Sequence, residues 1–340
     1  MSRTEFGVGI GGTLPPGDYP GLGRALEEHG FHVVTAFGDL MMQPPALPLA
    51  AIAAVTERLR VGVGCYTPWT MHPVEIAGQI AYLDHLSGGR AFYGIVRGAW
   101  LDQLRLDTRR SMTAVRDTVA IVSSLLAASG EGHEGKVHGL APKTAPYYPV
   151  LRPHVPLMVG TWSPQLAAFA GERADEVQVG GSANPAMVGV VRERVAVGEQ
   201  AAGRDPGSVS VVMTAVTVVD HDGAAARELA RREVALPFQV IAALDPTVEV
   251  DPELLTRMDG LLREHRMQEA GALIPDDLLH RFSFCGTPAE VADHAAEVYA
   301  AGATRIEFDS PFGRTPREGL DLLGRHVLPA LRAQGFGVDR

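Results

Sequence analysis

Leu59-Arg60-Val61-Gly62-Val63-Gly64-Cys65-Tyr66 is a β-branched apolar run that reads as a strand. A helical pattern over 73–86 follows, opened by Pro73 and closed by Ser87-Gly88-Gly89, and the next strand covers 90–96. Two buried-looking strands joined by one helix form a unit that a parallel sheet repeats. Upstream, the same alternation gives a strand at 6–10, a helix at 20–29 ended by Gly30, a strand at 31–36 and an Ala-rich helix at 47–56. Downstream come a helix at 113–128, a strand at 155–160, a helix at 164–173, a strand at 176–179 and a helix at 185–202. A long β-rich run at 209–219, a strand at 304–308 and a closing helix at 320–331 complete the chain. The count comes close to eight strand–helix units, which favours a single-domain (β/α)8 TIM barrel over residues 1–340. An open doubly wound sheet is the other reading, but Gly7, Gly9, Gly11 and Gly12 lack the G-x-G-x-x-G spacing of its dinucleotide loop. Two insertions break the rhythm. Residues 130–152 are expected to form a loop or hairpin over one end, and 236–279 a lid or partner surface.

The chain has 340 residues, with 30 Lys+Arg against 40 Asp+Glu and a formal charge of −10. That balance argues against nucleic acid or an anionic membrane as partner. No apolar run reaches the length of a membrane span, and Met1 to Phe6 lack the features of a secretory leader. The two cysteines, Cys65 and Cys285, stand far apart and form no disulfide framework or zinc spacing, so a reducing cytoplasmic setting is expected. His133 and His138 lack further ligands at suitable spacing, and no metal site is expected.

In a barrel the site lies in the loops after the strands. That rule selects Asp39 after the second strand, Gly64 to Trp69 after the third and Arg97 to Trp100 after the fourth. Gly160-Thr161-Trp162-Ser163 follow the fifth, and Gly180-Gly181-Ser182 the sixth. Asp39 reads either as a turn acid or as a proton donor. Arg97 reads as a surface ion-pair member or as a holder of anions. His72, just before Pro73, reads as a helix cap. Tyr66, Trp69, Trp100 and Trp162 stand where a flat ligand would stack, or where they simply pack. The glycines at 180–181 let backbone N–H groups approach a phosphate, and Ser163-Pro164 opens a helix; plain caps are the competing reading.

These residues resemble the bacterial luciferase-like superfamily of flavin- and deazaflavin-dependent oxidoreductases. The resemblance rests on the stretch from Leu49 to Gly62, on His72-Pro73, and on Leu83-Asp84-His85-Leu86-Ser87-Gly88-Gly89-Arg90-Ala91. It continues through Val155 to Gly160, Ala170 to Val177 and Phe284-Cys285-Gly286-Thr287-Pro288-Ala289-Glu290-Val291. Tyr93 to Trp100 is similar to the deazaflavin branch, whose cofactor is coenzyme F420. Methylenetetrahydromethanopterin reductase and F420-dependent glucose-6-phosphate dehydrogenase belong to that branch. The resemblance implies hydride transfer between F420 and a small organic substrate carrying C=N, C=C or carbonyl. A reduced-FMN monooxygenase and a non-catalytic flavin-binding barrel are the alternatives. It also implies a bulge with a non-prolyl cis peptide at Gly64–Cys65 or Cys65–Tyr66, backing the cofactor ring. Asp39 matches the family's proton donor, although Leu40 stands where the family has an adjoining His. Cofactor contacts are implied at Asp39, Gly64, Cys65, Tyr66, Thr67, Arg97, Gly98, Gly160, Thr161, Trp162, Ser163, Gly180, Gly181 and Ser182. A homodimer is implied as well.

Overall fold

A computed structural model describes residues 4–338; Met1, Ser2 and Arg3, read above for a leader, lie outside them. Nine strands form one parallel sheet: β1 (Glu5–Ile10), β2 (Val33–Ala36), β3 (Arg60–Tyr66), β4 (Ala91–Val96), β5 (Leu157–Gly160), β6 (Glu176–Gly180), β7 (Ser210–Val219), β8 (Ser283–Gly286) and β9 (Arg305–Phe312). Pairing runs from β1 through β7 in order, then from β7 to β9 and from β9 back to β1, so eight strands close a barrel. The open doubly wound sheet is thereby excluded. The strand missed in the sequence is β8. β6 covers β7 only as far as Thr214, and β8 takes over from Val216 to Val219. A ten-residue strand beside a five-residue one leaves an unpaired edge, and β8 closes it.

The helices surround the barrel: α1 (Tyr19–His29), α2 (Ala46–Ala53), α3 (Pro73–Leu86), α4 (Ser111–Leu126), α5 (Pro164–Arg173) and α6 (Pro185–Ala201). After β7 come α7 (Gly223–Ile241), α8 (Pro252–Arg263), α9 (Met267–Ala272), α10 (Asp276–Phe282) and α11 (Pro288–Ala300). Past β9, α12 (Pro316–Leu322) runs through a π-helical turn into α13 (Leu328–Ala333). Local chemistry sets many of the helix starts. His72 accepts from the Val74 amide, and Thr287 and Glu290 form a reciprocal capping box. No helix among the described residues is long and apolar enough to cross a membrane.

The first insertion departs from the expectation in placement. Residues 130–152 lie along the outer flank of α3 and α4 rather than over one end. His133 bonds Asp117 in α4, His138 reaches the Pro68 carbonyl beyond β3, and Arg152 grips Asp84 and the Ala91 carbonyl at the opposite end. Residues 236–279 are a packed helical layer. Phe238, Met258, Phe282 and Val218 share its own apolar cluster.

The inside of the barrel is unusual for a strand-lined core. Along β9, Ile306 and Phe308 point outward to the helices, whereas Arg305, Glu307 and Asp309 alternate inward. Arg305 donates to Glu307 at 2.9 Å and to both oxygens of Glu176 at 2.9 and 2.6 Å. Glu307 also accepts from Thr35 at 2.7 Å and from Gln178 at 3.0 Å. Burial alone would raise Glu176, but Arg305 and Arg60 outweigh it and hold the carboxyl at about 2. Val33, Cys65, Phe92, Met158 and Val212 fill the rest of the lumen.

Candidate active site

The mouth of the barrel is built on glycine. The ladder between β3 and β4 slips between Val63 and Tyr66, and within this bulge the Gly64–Cys65 peptide is cis. Of the two bonds expected from the resemblance, it is the first. Gly64 is partly open to solvent. The Cys65 side chain turns down into the lumen, where a Cβ on Gly94 or Gly160 would stand 2.5 or 3.0 Å from its sulfur. The bulge thus offers the mouth bare backbone, with its only substantial side chain tucked underneath.

The loop after β2 lies across this bulge. A Cβ on Gly38 would stand 2.1 Å from the Cys65 carbonyl oxygen, so only glycine permits the approach. Asp39 follows directly. Its carboxyl reaches water but stands in a cup walled by protein, and that partial desolvation raises it above the ordinary aspartate value.

Fourteen residues were expected at the cofactor, and the structure sorts them. Asp39, Gly64, Arg97, Gly98, Trp162, Ser163, Gly180 and Gly181 are open or partly open at the strand ends. Arg97 forms no ion pair among the described residues. The Trp162 indole donates to the Gly180 carbonyl at 3.0 Å, tying the fifth and sixth loops together. The remaining six are buried. Tyr66 leaves the barrel to donate to Gln79 of α3 at 3.0 Å, because the bulge reverses its side chain; it is not a stacking face in the mouth. Thr67 spends its hydroxyl on the Arg97 carbonyl at 3.0 Å, Thr161 holds the Ser163 amide, and Ser182 accepts from the Asn184 amide. Gly160 backs the Cys65 sulfur. These residues shape the loops rather than line an opening with side chains. Ser163 stands at the start of α5 without a side-chain cap bond, whereas Asn184 caps α6.

Sequence reading missed Gln178, Thr214 and Asp309. Asp309 is buried, and both carboxylate oxygens lie 2.5 Å from the Thr214 hydroxyl. Burial pushes its carboxyl well above the ordinary value; the Thr214 bond opposes this, and the charges of Glu307 and Asp39 add to it. The signal was present: Arg305, Glu307 and Asp309 alternate with apolar residues, and alternation in a strand covered by helices means a polar lumen.

A closed parallel barrel whose mouth carries a glycine bulge, a bare backbone wall and an acid at its edge defines a class: (β/α)8 barrels whose functional loops stand at the strand ends. Residues 1–305 match the Luciferase-like monooxygenase family, and the chain belongs to that family. It is similar to the 5,10-methylenetetrahydromethanopterin reductase of Methanolobus tindarius, with 26% identity covering 90% of this chain and 94% of that protein. The reductase of the same name from Methanopyrus kandleri is 26% identical over 97% of this chain and 99% of its own length. Among solved structures, the coenzyme F420-dependent tetrahydromethanopterin reductase of Methanopyrus kandleri superposes with a TM-score of 0.87 at 24% identity, covering 97% of this chain and 100% of that one. Monooxygenase RslO1 of Streptomyces bottropensis shares the fold with a TM-score of 0.71 at 23% identity, covering 96% of this chain and 99% of that one.

Proposed function

We propose that this protein is an oxidoreductase that moves a hydride between coenzyme F420 and a small organic substrate containing C=N, C=C or carbonyl. The observation that carries this reading is the side-chain-free wall at Gly64–Cys65 with the Asp39 carboxyl beside it. Glycine at residue 64 is required by the packing beneath the bulge, where a Cβ would stand 2.4 Å from the Thr35 methyl. A Mycobacterium tuberculosis relative named as a putative coenzyme F420-dependent oxidoreductase, 28% identical over 88% of this chain and 92% of its own length, supports the choice of cofactor. When bound, F420 supplies the hydride through its deazaflavin carbon, and this chain supplies orientation, shielding and a proton. Backbone at Gly64 and Cys65 backs the ring. The amides around Ser163, Gly180 and Gly181 hold the phosphate-bearing tail, and the unpaired Arg97 takes acidic groups of cofactor or substrate. Asp39 protonates the substrate atom that does not receive the hydride.

Spectral titration with F420 and, separately, with FMN tests the reading. Saturable F420 binding that weakens when Gly64 is replaced by Val supports it. Binding of FMN alone favours the monooxygenase reading, and binding of neither favours a non-catalytic barrel. A homodimer in a cytoplasmic setting belongs to the same proposal. Tyr82 and Leu86, four residues apart on α3 and substantially exposed, support the dimer, and sedimentation velocity tests it.

A further inference from the structure

The turn after β6 is tied to the helical layer at 236–279 through Asn184, whose amide fills all four of its hydrogen-bonding positions. The Asn184 Nδ2 atom donates to the Asp245 Oδ2 atom at 2.9 Å and to the Thr247 hydroxyl at 2.7 Å. The Asn184 Oδ1 atom accepts from the Ala186 amide at 3.2 Å, which caps α6, and from the Arg281 guanidinium of α10 at 3.3 Å. Asn184 and Asp245 are both buried. The other carboxylate oxygen of Asp245 accepts from the Thr247 amide and hydroxyl, at 2.8 and 2.7 Å. Thr247 thus accepts from Asn184 and donates to Asp245, and the small network is closed.

The residues just before Asn184 are the glycine turn at the mouth. Ile241 of the layer packs on Gly181, where a Cβ would stand 2.4 Å from the Ile241 Cδ1 atom. The Ser182 amide donates to the Thr214 carbonyl, and the Ala183 amide to the Arg281 carbonyl, both at 2.9 Å. The Ser182 hydroxyl accepts from the Asn184 amide. Capping does not explain why residue 184 is asparagine. An aspartate would still accept from Ala186 and Arg281, and it caps helices equally well. It has no N–H to give to Asp245, however, and would set two carboxylates face to face. The asparagine is required by the bond to the layer.

We propose that Asn184 is a positioning residue for the cofactor tail: its bonds to Asp245 and Thr247 fix the Gly180–Ser182 turn against the helical layer, and the layer thereby sets how tightly the phosphate-bearing end is held. The proposal rests on the F420 reading and gives the 236–279 insertion a part in it. The layer itself touches no reacting atom. It acts through one buried side chain whose donors and acceptors are divided between the layer and the helix that follows the turn.

Asn184→Asp breaks the tie and keeps the cap, and the double variant Asn184→Asp, Asp245→Asn exchanges the two side chains so that a donor again faces an acceptor. In the ligand-free protein, hydrogen exchange read by mass spectrometry is expected to quicken about tenfold over residues 180–184 and 245–247 in Asn184→Asp, and to stay unchanged in β1 to β4. Unchanged exchange in the turn overturns the proposal. In the binding arm, F420 and the deazaflavin core lacking the phosphate-bearing tail are titrated separately. Asn184→Asp is expected to weaken F420 about tenfold, to leave the core's affinity as in the parent, and to regain F420 affinity in the double variant. Equal F420 affinity in parent and variant overturns the proposal, and so does an equal loss for F420 and core, which would assign Asn184 to general folding. Should the core not bind the parent, recovery in the double variant decides. A parent that binds no F420 sinks the F420 reading and this role together, whereas a parent and variant that bind it equally sink this role alone. If Asn184→Asp does not fold, Asn184→Ser, which caps without an amide to donate, gives the same comparison.

Discussion

Gly38 rests on the carbonyl oxygen of Cys65 so closely that a Cβ would stand 2.1 Å away. This contact joins the loop that carries Asp39 to the bulge that walls the mouth. The loop and the bulge therefore pack backbone against backbone, an approach that a Cβ at residue 38 would block.

Gly38→Ala is accordingly expected to push the Asp39 loop off the bulge. F420 affinity should drop about tenfold, equivalent to about 1.4 kcal/mol, while far-UV circular dichroism stays unchanged because the barrel ladder is not touched. Equal affinity for the variant and the parent would show that the contact does not set the site.

Arg305→Met removes the cation shared by two buried carboxyls. Leaving Glu176 and Glu307 without it should cost about 3–5 kcal/mol in urea unfolding. The same network sets an acid limit. Because the folded-state value of Glu176 is held at about 2, below the ordinary 4.5, its contribution is complete above 4.5 and is lost as the pH falls towards 2. Arg305→Met should flatten the acid limb of stability against pH in that window; a limb of unchanged slope would count against the network.

His294 gives a second, milder limb. Burial holds it at about 3, well below the ordinary 6.5, with His280 stacked against it at 3.7 Å, while its Nε2 atom bonds the Ala183 carbonyl. The unfolded chain binds a proton below 6.5 that the folded chain refuses, so stability contributed by the neutral ring is full above 6.5 and declines as the pH falls towards 3. Within that window the decline is about 1.4 kcal/mol per pH unit. His294→Gln should unfold with less dependence on pH between neutral and mildly acid conditions; equal dependence would assign the limb elsewhere.

Cys65 should behave as a packing atom. Its thiol is pushed up by burial and lies beneath Gly94 and Gly160, whereas Cys285 is only half-buried. Alkylation followed by mass spectrometry should find Cys285 modified first, and Cys65 only at the rate of unfolding. Rapid modification of Cys65 in the native protein would contradict the placement of its sulfur.

Much of the fold was legible because its signals are local. Each strand and helix of the first half declares its period, and Gly30, Pro73 and Gly88-Gly89 punctuate it. β8 was missed because four residues beside a capping box carry no period of their own; its place is set by the length of β7. In the site, Asp39, Gly64 and Gly98 could be read from strand ends. Tyr66, Thr67 and Ser182 could not be sorted from them, since a one-residue bulge or a capping turn reverses which way a side chain points.

By itself, then, the order of residues determined the alternation of strands and helices and put glycine where backbone must approach backbone, because both follow from neighbours in the chain. Only closure of the barrel decided that Asp309, near one end of the chain, fills the space left by Gly9 near the other, with Thr214 at its oxygens. No local pattern can specify that pairing: it arises from the register in which β9 returns to β1 and β7, and that register also places the second acid under the mouth.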